Sequence, residues 1–215
     1  MKNNKVLSVI VLFMLLTSCA TSIETTKVSI ASGYKKIFSQ NLGEAGALTE
    51  LIPVNETSKN WSKMFSLQFM KGAPFSAKKH MEIFVDGARK NCGENFNFKL
   101  ISEKKNSVTF EWSVTNCMQK DFIKYITPYV EIEDCNINYF TGLIWYGSKN
   151  AKTPSKCSKL VTQSEVVRFI RGNDGLHRVA FTQRTNKING GFRQKWLASL
   201  TKAYVKKGGE RVIVK

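Results

Sequence analysis

The chain has 215 residues and a mass of 24.3 kDa, the size of one ordinary domain rather than two. Hydrophobic residues make up 42% and charged residues 23%, which excludes a disordered chain, and the 4 prolines exclude a collagen-like or proline-rich one. The formal charge is +17, from 33 Lys and Arg against 16 Asp and Glu, which points to anionic partners.

Lys2 and Lys5 flank the start of an apolar run, Val6 to Leu16. A run of that length is about half of the roughly 20 residues that cross a bilayer as a helix, and it matches the core of a signal peptide. It ends in Leu16-Thr17-Ser18-Cys19, which resembles a bacterial lipobox: an aliphatic residue, two small residues, then Cys. The resemblance implies cleavage after Ser18, diacylation of Cys19 and a membrane anchor, since each buried methylene contributes roughly 0.8 kcal/mol. Ala20 follows the Cys, where Asp would resemble an inner-membrane retention signal, so the expected location is the outer membrane, facing the periplasm. The expected organisation is a signal peptide over 1–18, a lipidated tether over 19–32 (Ser/Thr-rich and without a clear period) and a single domain over 33–215.

Gly33 to Gln40 and Ala47 to Val54 read as strands, and Asn55 to Asn60 as a polar turn or a single helical turn. Trp61 to Met70 reads as a further strand. Pro74-Phe75-Ser76 opens the clearest helix, with Ser76 as its N-cap. Ala77, Met81, Phe84, Ala88 and Cys92 form its apolar stripe. A hairpin follows over 94–116. Phe96, Phe98 and Leu100 face Val108, Phe110 and Trp112 across a turn at Glu103-Lys104-Lys105-Asn106.

Residues 118–134 are ambiguous, with a strand from Tyr125 to Ile132 after a short helix as one reading. Ile137 to Tyr146 is apolar enough for a buried strand, and Gly147 to Ser158 is loop. Val161 to Arg171 and Leu176 to Arg184 form a second hairpin turned at Gly172-Asn173-Asp174-Gly175. A final helix runs from Gly190 or Gly191 to about Val205, with Phe192, Trp196, Leu200, Ala203 and Tyr204 as its stripe. Gly208-Gly209 stops it, and the tail Glu210 to Lys215 frays or adds an edge strand. These elements predict an α+β domain, an antiparallel sheet with the two main helices packed on one face.

Apart from Cys19 there are four cysteines, Cys92, Cys117, Cys135 and Cys157. In an exported chain this even number suggests two disulfides. Folding the first hairpin brings Cys92 near Cys117, although matching the apolar faces sets Cys92 opposite Asn116. The expected pairs are Cys92–Cys117 and, by remainder, Cys135–Cys157. No C-x2-C pair exists to suggest a zinc site, and no metal or cofactor is expected.

The most distinctive stretch is Leu51-Ile52-Pro53-Val54-Asn55-Glu56-Thr57-Ser58-Lys59-Asn60-Trp61-Ser62-Lys63-Met64. With the later basic hairpin and Trp196, it resembles a family of small exported bacterial proteins that carry a Glu-Thr-x-x-Asn-Trp-Ser/Thr segment. The resemblance covers roughly residues 45–200 and implies no activity. Glu56 and Thr57 are expected to cap a turn, Asn60 to hold a bend through its amide, and Trp61 to pack on the sheet. The functional alternative is a polar pocket with an aromatic wall.

Two histidines, His80 and His177, are the only ones available as general bases. Neither belongs to a nucleophile-elbow or metalloprotease motif. Four of the 7 arginines (Arg168, Arg171, Arg178 and Arg184) fall in the second hairpin, where they are candidates for a cationic binding face. The sequence therefore leads to an envelope lipoprotein that acts by binding, as a component of an outer-membrane assembly or as a ligand-binding module. Its expected partners are the membrane, through the anchor, and an anionic envelope polymer or envelope protein; nucleic acid is not expected. The alternative is a hydrolase acting on an envelope polymer.

Overall fold

The computed structural model describes residues 24–41, 46–58, 60–118, 160–185, 187–188, 190–207 and 213–214. The expected signal peptide, Cys19, the expected Cys135–Cys157 pair and the elements expected over 119–159 lie outside the described residues. The main strands are β3 (Tyr34–Asn41), β4 (Gly46–Pro53), β5 (Lys63–Lys71), β6 (Phe96–Lys104), β7 (Ser107–Met118), β8 (Leu160–Arg171) and β9 (Gly175–Gln183). They form one antiparallel sheet of seven strands, ordered β3-β4-β5-β9-β8-β7-β6, and the described chain is one α+β domain built on it.

Helix α1 (Ala77–Cys92) starts where its N-cap predicts: the Lys79 N–H donates to the Ser76 hydroxyl at 3.1 Å. Its stripe Ala77, Met81, Val85, Ala88 and Cys92 packs on Val108, Phe110 and Trp112 of β7, Val167 and Phe169 of β8, and Ala180 of β9. Helix α2 (Gly190–Thr201) places Trp196 and Leu200 against Val166 and Ile170 of β8, Val179 and Phe181 of β9, and Phe65 of β5.

On β8 the two helices thus touch alternate residues. Neighbouring side chains of a strand point to opposite faces, so α1 and α2 lie on opposite sides of the sheet. The expected packing of both helices on one face is corrected. The strands are apolar on both faces, and each face needs its own cover.

Helix α2 is also shorter than its stripe suggests. Tyr204–Lys207 forms β10, which pairs antiparallel with β1 (Glu24–Lys27). β2 (Ser29–Ile30) pairs parallel with β11 (Ile213–Val214). Residues 24–30, expected within the tether, are therefore part of the fold, with Val28 and Ile30 buried in the α2-side core.

The disulfide Cys92–Cys117 joins the C-terminal end of α1 to β7, its Cα atoms 5.3 Å apart. The one-residue offset expected from face matching is absorbed by an irregularity in β7 between Val114 and Cys117. There Asn116 takes a φ of 53° and its N–H donates to the Thr162 hydroxyl at 3.2 Å. The extra residue turns Cys117 toward α1.

Candidate functional site

At the end of the sheet where β4 turns into β5, Glu56 accepts the Ser62 N–H at 2.7 Å and the Ser62 hydroxyl at 2.5 Å. Between them, Thr57 and Asn60 exchange backbone hydrogen bonds, the Thr57 N–H to the Asn60 carbonyl at 3.3 Å and the Asn60 N–H to the Thr57 carbonyl at 3.1 Å. The bend expected from the Asn60 amide is held by this backbone exchange. The closed loop drives Trp61 inward, 2% exposed, onto Ile52 and Met64.

Arg184, just past β9, anchors its N–H on the Ser62 carbonyl at 3.0 Å and lays its guanidinium 4.1 Å from the Trp61 ring centre. Partial burial lowers the Arg184 pKa, and the Glu56 charge opposes that. Burial, with the Glu56 charge adding to it, pushes the Tyr34 hydroxyl up to about 12. Glu56, Trp61 and Arg184 therefore form one cluster assembled from two distant stretches of chain.

The other three arginines of the second hairpin are internal fasteners. Residues 168 and 171 of β8 sit on opposite faces by strand alternation. Arg168, 8% exposed, donates to the Leu200 carbonyl at the end of α2 at 2.9 Å and to the Ser107 hydroxyl at 3.3 Å. Burial lowers its pKa. Arg171 reaches the other face and donates to the carbonyls of Ala73 and Phe75 ahead of α1.

Arg178, 3% exposed, pairs with Glu165 and donates to the Ser66 hydroxyl at 2.8 Å. Glu165 also accepts the Trp112 indole N–H at 3.0 Å and the Thr182 hydroxyl at 2.6 Å. Trp112, Glu165 and Thr182 are cross-strand partners in register, which is why three strands converge on one carboxylate. The expected cationic face on this hairpin is therefore reduced to Arg184. The others are buried or half-buried because each has an internal acceptor, without which its charge could not be buried.

On the α2 side, Glu24 of β1 accepts the N–H groups of Asn173 and Asp174 in the β8–β9 turn at 2.9 and 3.0 Å. His177 stands 3.4 Å from Glu24, exchanges a hydrogen bond with Thr26 at 2.8 Å and stacks on Phe69. A Cβ at Gly172 would meet the Glu24 carboxylate, so a side chain there would have to push that carboxylate off its turn donors. Burial alone would raise the Glu24 pKa. The backbone donors of Asp174 and Asn173, then His177, outweigh it and hold the carboxyl below its ordinary range.

Hydroxyl, imidazole and carboxylate stand in the order of a catalytic triad. All three residues are buried, however, and the cavity lined by Glu24 and Thr26 has a volume of about 10 Å³, room for about one water molecule. The geometry assigns them to fastening β1. His80, on α1, is buried against Phe75 and Phe169, and burial lowers its pKa.

Sequence reasoning missed Glu24, Thr26, Ser66, Glu165 and Thr182. Glu165 carries a signal, as the one carboxylate of β8, next to the apolar pair Val166-Val167. Glu24 carries one as the sole acid of a Ser/Thr-rich stretch. No known family model, curated protein or solved structure matches this chain.

Proposed function

We propose that the protein is a lipid-anchored component of the bacterial envelope that acts by binding, and that the Glu56–Trp61–Arg184 end of the sheet is its binding surface. The observation that carries this reading is the exposed Arg184 held over the Trp61 ring beside the Glu56 loop. A guanidinium fixed by stacking is pre-ordered for a carboxylate or phosphate. That chemistry suits an anionic envelope polymer or an acidic segment of an envelope protein. The anchor rests on the succession, in the sequence, of Lys2 and Lys5, the apolar run from Val6 to Leu16 and the lipobox-like Leu16-Thr17-Ser18-Cys19.

The test is in-cell cross-linking of the intact protein, followed by mass spectrometry of what is recovered. One dominant envelope partner is expected, lost in Arg184→Gln and retained in Lys90→Gln, a substitution elsewhere on the surface. Equal recovery from both variants would count against this surface. Cys19→Ser should abolish acylation, and an unchanged membrane-bound, acylated product would count against the anchor.

A further inference from the structure

We infer that the opposite end of the sheet, where β1 joins the fold, docks on an anionic phospholipid surface and holds the Trp61–Arg184 end away from it. This orientation rests on the proposed envelope location. Three observations converge on that end.

The first is charge. The end of β5 carries Lys71, the start of α1 Lys78, the β6–β7 turn Lys104 and Lys105, and β10 Lys206, all of them exposed. Among the described residues, the exposed carboxylates of these turns are Glu103, which already bridges Lys78 at 3.0 Å, and Asp174. Glu24 is buried with its charge spent on backbone N–H groups and His177. A cluster of lysines at one end attracts an anionic surface within a screening length of about 8 Å at physiological salt.

The second is where the chain arrives. Glu24 is clamped to the β8–β9 turn, and its β10 partner is Lys207. The N-terminal segment therefore joins the fold at the lysine-bearing end.

The third is length. Cys19 precedes Glu24 by five residues, at most about 18 Å of chain at full extension. The sheet is longer: strands of nine residues such as β5 span roughly 30 Å at 3.3 Å per residue. A lipid on Cys19 thus keeps the lysine end near the bilayer, while Arg184 at the far end of β9 stands clear.

The test is amine-reactive footprinting of the purified mature lipoprotein, read by mass spectrometry, on two kinds of vesicle: phosphatidylcholine alone, and phosphatidylcholine with phosphatidylglycerol. Lys71, Lys104, Lys105 and Lys206 should become several-fold less reactive on the anionic vesicles, and high salt should restore them. Lys90 and Lys187 should not change. K104E/K105E should lose the protection while staying anchored. Equal reactivity on both vesicles, protection spread over Lys90 and Lys187 as well, or protection by a soluble polyanion but not by vesicles would each overturn the inference. Mass analysis of the N-terminal peptide tests the anchor separately. If it is unacylated and neutral vesicles do not retain the protein, the anchoring reading fails. Flotation with the anionic vesicles then still decides the docking: retention upholds it and its absence overturns it.

Discussion

The two faces of the seven-stranded sheet are built from the same strands but closed by different parts of the chain. The α1 face is closed from nearby in sequence. The helix leads straight into the β6–β7 hairpin that it covers, and the Cys92–Cys117 disulfide locks the two together over a separation of 25 residues. The α2 face is closed from far away. β1 is held by the β8–β9 turn across separations of about 150 residues and pairs with β10 near the other end of the chain.

Their polar chemistry differs in the same sense. Under α1 the charges form a complete pair, Glu165 with Arg178, and both are further hydrogen-bonded. Under β1 a single carboxylate is held by backbone N–H groups and a histidine. One face is fixed by a disulfide at the end of β7 and by an ion pair on the central strands β8 and β9. The other is fixed by a clasp on the β8–β9 turn, at the end of the central strands, and a small peripheral contact of this kind is expected to open locally before the rest unfolds.

The sharpest way to break this contrast is Arg178→Met. It leaves the Glu165 carboxylate buried without its cation, and such a loss costs about 3–5 kcal/mol. Urea unfolding should show this as a lower midpoint, and Arg178→Met with Glu165→Leu should recover a large part of it. Removing the disulfide with C92A/C117A should cost about 3–4 kcal/mol by chain entropy for a loop of 25 residues. Its effect belongs to global stability, and hydrogen exchange at α1 and β7 should rise together.

Glu24→Gln should cost less, about 1–2 kcal/mol for weakening charge-assisted bonds. Its signature should be local, with exchange accelerating in Thr25–Lys27 and Tyr204–Lys206 while α1 keeps its protection. Equal acceleration on both faces would mean the clasp is not a separate unit.

Acid should mimic that substitution. Glu24 has a folded pKa below its ordinary 4.5. Its contribution is therefore whole above about pH 4.5 and is lost as the pH falls through the lowered value. Protection in β1, taken as exchange relative to the intrinsic rate at each pH from 6 downward, should fall in that window before the α1 face responds. The smallest effect is expected for Arg184→Gln, about 0.5–1 kcal/mol for losing a cation held over an aromatic ring at an exposed site. In that variant a near-normal melt with lost partner recovery is the outcome that separates a binding role from a structural one.

Both hairpins and α1 are legible in the amino-acid sequence because their signals are local: period-two alternation, a Ser N-cap, a glycine-bounded turn. The Cys92–Cys117 pair is legible for the same reason, although only the irregularity at Asn116 explains how Cys117 reaches α1. In the candidate site, Glu56 and Trp61 stand out as residues of a distinctive segment, and Arg184 as one of four arginines. That Arg184 alone of the four sits over Trp61 is not legible.

The fate of Arg168, Arg171 and Arg178 depends on which face each strand position takes and on which acceptor lies across from it. Both are set by strand order, and strands adjacent in the sheet need not be adjacent in sequence. The stretch from Glu24 to Ile30 reads as a tether because short polar segments carry no periodicity of their own. It becomes structure only where a turn offers unpaired N–H groups to its carboxylate and a distant strand offers an edge. Local spacing by itself determined the hairpins, the first helix and one disulfide. The tertiary structure alone decided how the two faces are covered and which charges are buried, because those outcomes depend on partners far away in the chain.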